Sequence, residues 1–287
     1  MLFRSHGGTI QVSITPTALD WMPDPVSSHA TVTWNAVDTW PVEFSANGAM
    51  VKLSMSANHI KGAEAGKALG DAIAVTKVLK EIDISGGDNN SEKCDEEFVK
   101  GLSPGLRANG ALKSLDISNN NLGGISDWIK PPREGLKVGD LVDGKPIVEI
   151  YSNGDIKVQD LSGVIAISNA IPTMAALSKL IFGGDSYYDS DLIQHVTPKP
   201  ATLEVGMTEA DLSNKNLGAV GAAYVGAWID QQRLTSLNIS SNNIRASGCE
   251  HLATALNDTQ TLSKLDISYN RISSEGAKAL AVALNNC

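Results

Sequence analysis

Gly101-Leu102-Ser103-Pro104-Gly105 has the glycine-serine-glycine spacing of a nucleophile elbow. In such an elbow a serine sits on a sharp strand-to-helix turn with its hydroxyl presented to substrate. Here the segment falls within or just after a helical pattern, so the match is read as chance and no hydrolase is assigned. Residues 62–68, GAEAGKA, are one residue short of a phosphate-binding loop and lack the Ser or Thr that would hold magnesium. They read as the small-residue face of a helix. The acidic run Asp88, Glu92, Asp95, Glu96 and Glu97 could attract calcium but lacks EF-hand ligand spacing, as do Asp185, Asp189 and Asp191. His6, His29, His59, His195 and His251 are scattered, with no H-E-x-x-H or other ligand pair. Cys94, Cys249 and Cys287 have neither disulfide-framework nor zinc spacing, and Cys249 reads as a small buried apolar residue. No catalytic, cofactor-binding or metal-ligating residue is assigned, no cofactor is expected, and the chain reads as a non-enzyme.

The totals narrow the partners. A net charge of −9 argues against a nucleic-acid backbone, which would call for basic stripes. No apolar run reaches the length of a membrane span. The opening MLFRSHGGTIQ lacks the apolar core of a signal peptide, so an intracellular location is expected, cytoplasmic or within an organelle. In that setting the formal sequons Asn238-Ile239-Ser240 and Asn257-Asp258-Thr259 carry no glycan.

Two consecutive blocks from Leu234 set the architecture: LTSLNISSNNIRASGCEHLATALNDTQT, then LSKLDISYNRISSEGAKALAVALNNC. Each opens L-x-x-L-x-I-x-x-N-x-I, passes through a Gly and ends with Leu spaced four apart. The alternating Leu and Ile fit a strand with one face inward, and the Asn fits a turn that satisfies loose backbone groups. The Gly, Ala and Leu fit a helix packing back on the strand. Such a unit cannot bury its apolar face alone and must stack on copies of itself. The pattern resembles the ribonuclease-inhibitor type of leucine-rich repeat, which implies an α/β solenoid with a parallel sheet on its concave face.

The same pattern returns at Met50, Leu79, Leu112, Leu177 and Met207, giving about seven repeats over residues 49–287. A single seven-stranded parallel sheet with helices outside is expected. Lys215 stands where the fifth repeat should carry its turn Asn. Two inserts interrupt the array. Residues 131–161 carry a β-hairpin signal, with IVEIY and DIKVQ on either side of Ser152-Asn153-Gly154. Their opening VGDLVDG is similar to the first strand of SH3-like barrels but too short for one. Residues 185–206 read as irregular. Residues 1–48 are β-rich with Trp21, Trp34 and Trp40, and read as a cap on the open end or as an aromatic docking surface. The last block ends without a polar cap, so either the chain is a fragment or something covers that end.

The repeat register also names the outward columns. One holds Ser54, Asp83, Asp116, Ile181, Asp211, Asn238 and Asp266; the next holds Ser56, Ser85, Ser118, Gly183, Ser213, Ser240 and Ser268. With strands about 4.8 Å apart the Asp column stacks like charges. It reads either as an acidic, hydroxyl-lined groove for a basic segment of another protein or as a merely solvated strand face. The expected function is protein–protein interaction, as a structural or scaffold subunit of a larger assembly. The alternative is a regulator of a small GTPase. Ran GTPase-activating proteins are built from similar repeats, and Arg245 and Arg271 are placed to reach a partner's nucleotide.

Overall fold

The structure, a computed structural model, describes residues 9–13, 29–33, 50–87, 93–120, 122–123, 129–138, 140–184, 187–189, 194–196, 198–229, 234–257 and 259–284. Trp21, Trp34 and Trp40 lie outside the described residues, as do Asp88, Glu92, Asp185, Asp191, His6 and Cys287.

Each repeat contributes one short strand whose central residue points inward. These strands are β3 (Lys52–Ser54), β4 (Glu81–Asp83), β5 (Ser114–Asp116), β9 (Lys179–Phe182), β13 (Glu209–Asp211), β14 (Ser236–Asn238) and β15 (Lys264–Asp266). Leu53, Ile82, Leu115, Leu180, Ala210 and Leu237 are buried at their centres. Behind them pack helices α1 (Ala63–Val75), α2 (Glu96–Ala108), α3 (Ser162–Ser168), α4 (Gly218–Ile229), α5 (Arg245–Leu256) and α6 (Ser273–Leu284).

The turn Asn is the structural signature of the repeat. Asn242 is fully buried, and its amide donates to the carbonyls of Leu212, Ile239 and Ser240 at 2.7, 3.0 and 3.1 Å. Its side-chain oxygen accepts from the backbone of Lys215 and Leu217 in the preceding repeat. Asn270 repeats the pattern one unit later, and Asn120 does so against Ile84 and Cys94. One short amide thus meets backbone groups of two turns that would otherwise be buried unpaired.

The expected single parallel sheet is not formed. Strands β3, β4, β5 and β9 pair in parallel register, but β9 next takes an antiparallel partner, β12 (Ala201–Glu204). Strands β13, β14 and β15 make a second parallel sheet. The cause lies within residues 185–206, read above as irregular: in their described residues β10 (Tyr187–Asp189) and β11 (Gln194–Val196) pair antiparallel, and β12 buries Ala201 and Leu203. The ion pair between Lys179 and Glu204, at 2.9 Å, closes the β9–β12 edge. With that edge filled, β13 has no place beside β9. Lys215 stands at this break: among the described residues no parallel strand precedes β13, and the Lys215 ammonium reaches the carbonyls of Pro200 and Lys199 at 3.3 and 3.5 Å. The two halves nonetheless share one hydrophobic core, in which the Phe182 ring meets Tyr224 edge-on at 5.6 Å.

Residues 141–158 form a three-stranded antiparallel sheet of β6 (Leu141–Val142), β7 (Lys145–Ile150) and β8 (Ile156–Val158). Gly154, at φ 90°, makes the tight turn between β7 and β8, where a side chain would be strained. Val142, Ile147, Ile156 and Val158 give this sheet a small core of its own. It folds onto the repeats: Gln159 donates to the Gly123 carbonyl at 3.0 Å, and Arg245 donates to the Val148 carbonyl at 3.2 Å. In residues 1–48, β1 (Thr9–Ser13) pairs antiparallel with β2 (His29–Thr33), and β1 lies against β3.

Candidate functional site

The side chains that end the repeat strands are brought together in two groups. In the first sheet Asp83 stands in register with Asp116, and Ser54 with Asp83. In the second, Asp211, Asn238 and Asp266 stand in register. Between the groups come Ile181 and its antiparallel partner Thr202. The acidic column expected as one groove is therefore two acidic steps separated by a neutral one.

The two outward columns do not line a groove side by side. Each acid folds around the serine two residues on. Asp83, Asp116, Asn238 and Asp266 accept from both the backbone N–H and the hydroxyl of Ser85, Ser118, Ser240 and Ser268, at 3.0 Å and 2.7–2.8 Å. Asp211 accepts from the N–H of Ser213 at 3.0 Å. These are Asx turns that end each strand. The serine hydroxyls are spent inside them, and Ser118 is buried rather than outward-facing. The hydroxyl-lined face expected from the register is thus replaced by carboxylates whose first oxygen holds the turn. The second oxygen of Asp83 accepts from the Ser54 hydroxyl at 2.8 Å.

Environment separates the two groups electrostatically. Burial raises the Asp116 pKa above its ordinary 3.8; the Ser118 bonds oppose this, the neighbouring Asp83 adds to it and Lys179 opposes it. Asp211 and Asp266 lie open to water, and the Ser213 and Ser268 bonds hold them below 3.8. Of the two causes that raise the Asp116 pKa, burial is the larger and the repulsion from Asp83 is the one that a nearby cation would offset.

Sequence reasoning passed over the row beside the acids. Lys52 pairs with Glu81 at 3.2 Å, and Lys179 with Glu204 at 2.9 Å, so this row is balanced while the acidic row is not. The alternation that selected Asp83 also selects Glu81, two residues earlier, and that signal was available. Of the two arginines, Arg245 is engaged with the β6–β8 sheet and Arg271 is exposed.

The chemical look-alikes have packing roles. The Ser103 hydroxyl is buried and donates to the Ala166 carbonyl at 2.6 Å. In the GAEAGKA segment the Gly62 N–H meets the Asp95 carboxylate at 3.0 Å, so a carboxylate already stands where a phosphate would be held. Among the described residues no cluster of three His, Cys, Asp or Glu has metal-holding geometry, and no helix is long and apolar enough to cross a membrane. Burial pushes the Cys94 thiol up to about 12, with Asp95 adding, and the Cys249 thiol up to about 11, with Glu250 adding.

Comparison with known proteins agrees with the repeat geometry. Profiles described as leucine-rich repeat match residues 111–131, 232–253 and 259–281. No curated protein matches the sequence. Among solved structures, leiomodin-1 actin-binding site 2 is similar over 85% of this chain and 83% of that one, at 11% identity and a TM-score of 0.32. The matched segments hold β5, β14 and β15 with their turn asparagines Asn120, Asn242 and Asn270. These three stretches are thus similar to leucine-rich repeats, and such repeats generally serve contacts between proteins.

Proposed function

We propose that this chain is a non-enzymatic interaction protein that binds a basic, extended segment of another protein across its strand-end carboxylates. The pairing of Asp83 with Asp116 in register carries the reading, since two carboxylates on adjacent strands repel and one of them is partly buried. A guanidinium or ammonium group placed over them offsets the repulsion, which is the usual basis of charge-complementary recognition. Asp211 and Asp266 offer a second step to a segment long enough to pass Ile181 and Thr202. The repeats are of the ribonuclease-inhibitor type, interrupted by the β12 edge, and the protein serves as a structural or scaffold subunit of an intracellular assembly.

The test exploits Asn238, which holds the same turn as its acidic neighbours without a charge. Asp83→Asn, Asp116→Asn, Asp211→Asn and Asp266→Asn together should keep the fold and remove the site. Calorimetric titration with an arginine-rich peptide should show salt-sensitive binding to the parent and at least about tenfold weaker binding to the fourfold variant. Equal affinity for both would end the proposal. The GTPase-regulator alternative has less support, because Arg245 is held by the Val148 carbonyl and only Arg271 stands free of such a contact. Unchanged GTP hydrolysis across a panel of small GTPases would remove it.

A further inference from the structure

Main-chain groups of each repeat strand are met by the strand before it. The carbonyls of Asp83, Asp116, Ile181, Asn238 and Asp266 each accept an N–H from the preceding strand, at 2.7–3.0 Å. Where a strand begins, two successive N–H groups share one carbonyl of that neighbour, as Lys80 and Glu81 share Val51, and Thr235 and Ser236 share Thr208. Repeat five is the exception. Because β12 holds the β9 edge, the equivalent groups of β13 meet no partner among the described residues: the N–H of Thr208, the N–H of Glu209 and the carbonyl of Asp211. All three residues are exposed. The outer edge of β12 is better guarded. The Lys215 ammonium meets the Lys199 and Pro200 carbonyls where β12 begins, and at its end Met207 meets the Glu204 carbonyl and N–H at 3.3 and 3.2 Å. The break between the sheets thus leaves an open strand edge with the hydrogen-bond pattern of a repeat junction.

We infer that β13 takes an extended basic segment of another protein as an added strand, running parallel to it. The junction of β3 with β4 supplies the register. There the Val51 carbonyl accepts from Lys80 and Glu81, and further along the Met55 N–H donates to the Asp83 carbonyl. Between those bonds Lys52 stands opposite Glu81, in an ion pair at 3.2 Å, and Ser54 stands opposite Asp83. The same register on β13 sets two alternate residues of the added strand opposite Glu209 and Asp211. On their other side β14 offers these two carboxylates only Ser236 and Asn238. Among the described residues neither has a cation on a neighbouring strand, so a Lys or Arg at each of the two positions completes the pairs. Charge also selects against a second copy at this edge, since antiparallel pairing of two β13 strands would bring Glu209 against Asp211. Main-chain bonds hold the segment and its alternate side chains select it. The inference does not depend on the Asp83 and Asp116 pair, and Asp211 is the one residue it shares with that proposal.

The test is calorimetric titration of the full chain with a capped peptide of alternating lysine and valine, and with two N-methylated forms of it. In the parallel register the valine N–H groups face β13 and the lysine N–H groups face away. Methylating the valine nitrogens should weaken binding about tenfold or more, while methylating the lysine nitrogens should leave it within about twofold. The reverse order would overturn the parallel register. Indifference to both, or no binding of the unmethylated peptide, would overturn strand addition. On the protein, Glu209→Pro removes an outward N–H without touching a bond to β14, and with an unchanged melt it should weaken binding about tenfold. Glu209→Gln keeps that N–H and should weaken binding about threefold. Asp83→Asn combined with Asp116→Asn should leave binding at β13 unchanged. Binding lost in that double variant and kept in Glu209→Pro would overturn the inference and leave the strand-end carboxylates as the site.

Discussion

Helices α1 and α2 meet through glycines at a separation that no side chain would permit, and Gly66→Ala is the sharpest perturbation of that seam. A Cβ built on Gly66 lies 1.8 Å from the Phe98 carbonyl oxygen and 2.7 Å from its carbon, both backbone atoms of α2. Gly101 and Gly105 answer from the other side, their Cβ positions falling 2.3 Å from the Ala63 oxygen and 2.1 Å from the Gly70 oxygen. No rotamer relieves a clash between a Cβ and a main chain, so α2 has to retreat from α1. The retreat loosens Leu69, Leu102 and Leu106, which are buried between the helices and the sheets. Overpacking of this kind costs about 3 kcal/mol, while Ala in place of a helical Gly returns about 1 kcal/mol, for a net loss of about 2 kcal/mol. For a chain of this size that is a fall in melting temperature of roughly 4–8 °C. Gly110 is the matched control, with nothing within 4 Å of its Cβ and an ordinary φ. Thermal and urea melts followed by circular dichroism should show Gly66→Ala destabilised and Gly110→Ala within about 0.5 kcal/mol of the parent. A Gly66→Ala variant that melts at or above the parent would refute the close-packed seam.

Other consequences follow from single contacts. Asn242→Ala strands the Lys215 and Leu217 N–H groups and the Leu212 carbonyl, and should cost about 3 kcal/mol in a urea melt. Asp116→Asn should leave the melt unchanged or raise it at neutral pH, because Asn can hold the Ser118 turn as Asn238 holds Ser240. The Asp116 pKa is raised on folding, so the parent's disadvantage should vanish below pH 3.8 and grow as the pH rises through the raised value; melts across pH check the sign. Asp160 is the opposite case: burial pushes its pKa up, but the Ser162 bonds and Lys145 outweigh it and hold the carboxyl at about 2. Its contribution is complete above pH 3.8 and lost as the pH falls towards 2, so Asp160→Asn should remove that part of the acid sensitivity of the melt. In a Cys287→Ser background, Cys94 and Cys249 should resist thiol labelling in the native protein and react at once in denaturant, since both are buried with raised pKa values.

The repeats were legible because their signals are local. Leu237, Asn242 and the helical Leu252 and Leu256 fall at fixed spacings, and each does in the structure what its spacing implies. The Asn153-Gly154 turn was legible for the same reason. The break between the sheets was not, since it turns on β12 competing for the β9 edge, a contact between segments that periodicity does not relate. Its trace was Lys215, which breaks the asparagine rule where the preceding parallel strand is missing. The acidic positions were named correctly as a register, but their first oxygens go to the Ser turns, and the difference between a carboxylate on display and one in a turn lies in backbone geometry. That the β6–β8 sheet folds back to meet Arg245 joins residues 97 apart in sequence, and nothing local in either segment announces it.

The most direct test of the strand-end carboxylates as the contact is carbon-13 NMR titration of the Asp116 carboxyl, alone and with a saturating arginine-rich peptide. In the free protein the carboxyl should titrate above 3.8, and on peptide binding its pKa should fall as the repulsion from Asp83 is screened. A peptide that binds yet leaves the Asp116 titration unmoved would contradict the account and place the contact elsewhere on the protein.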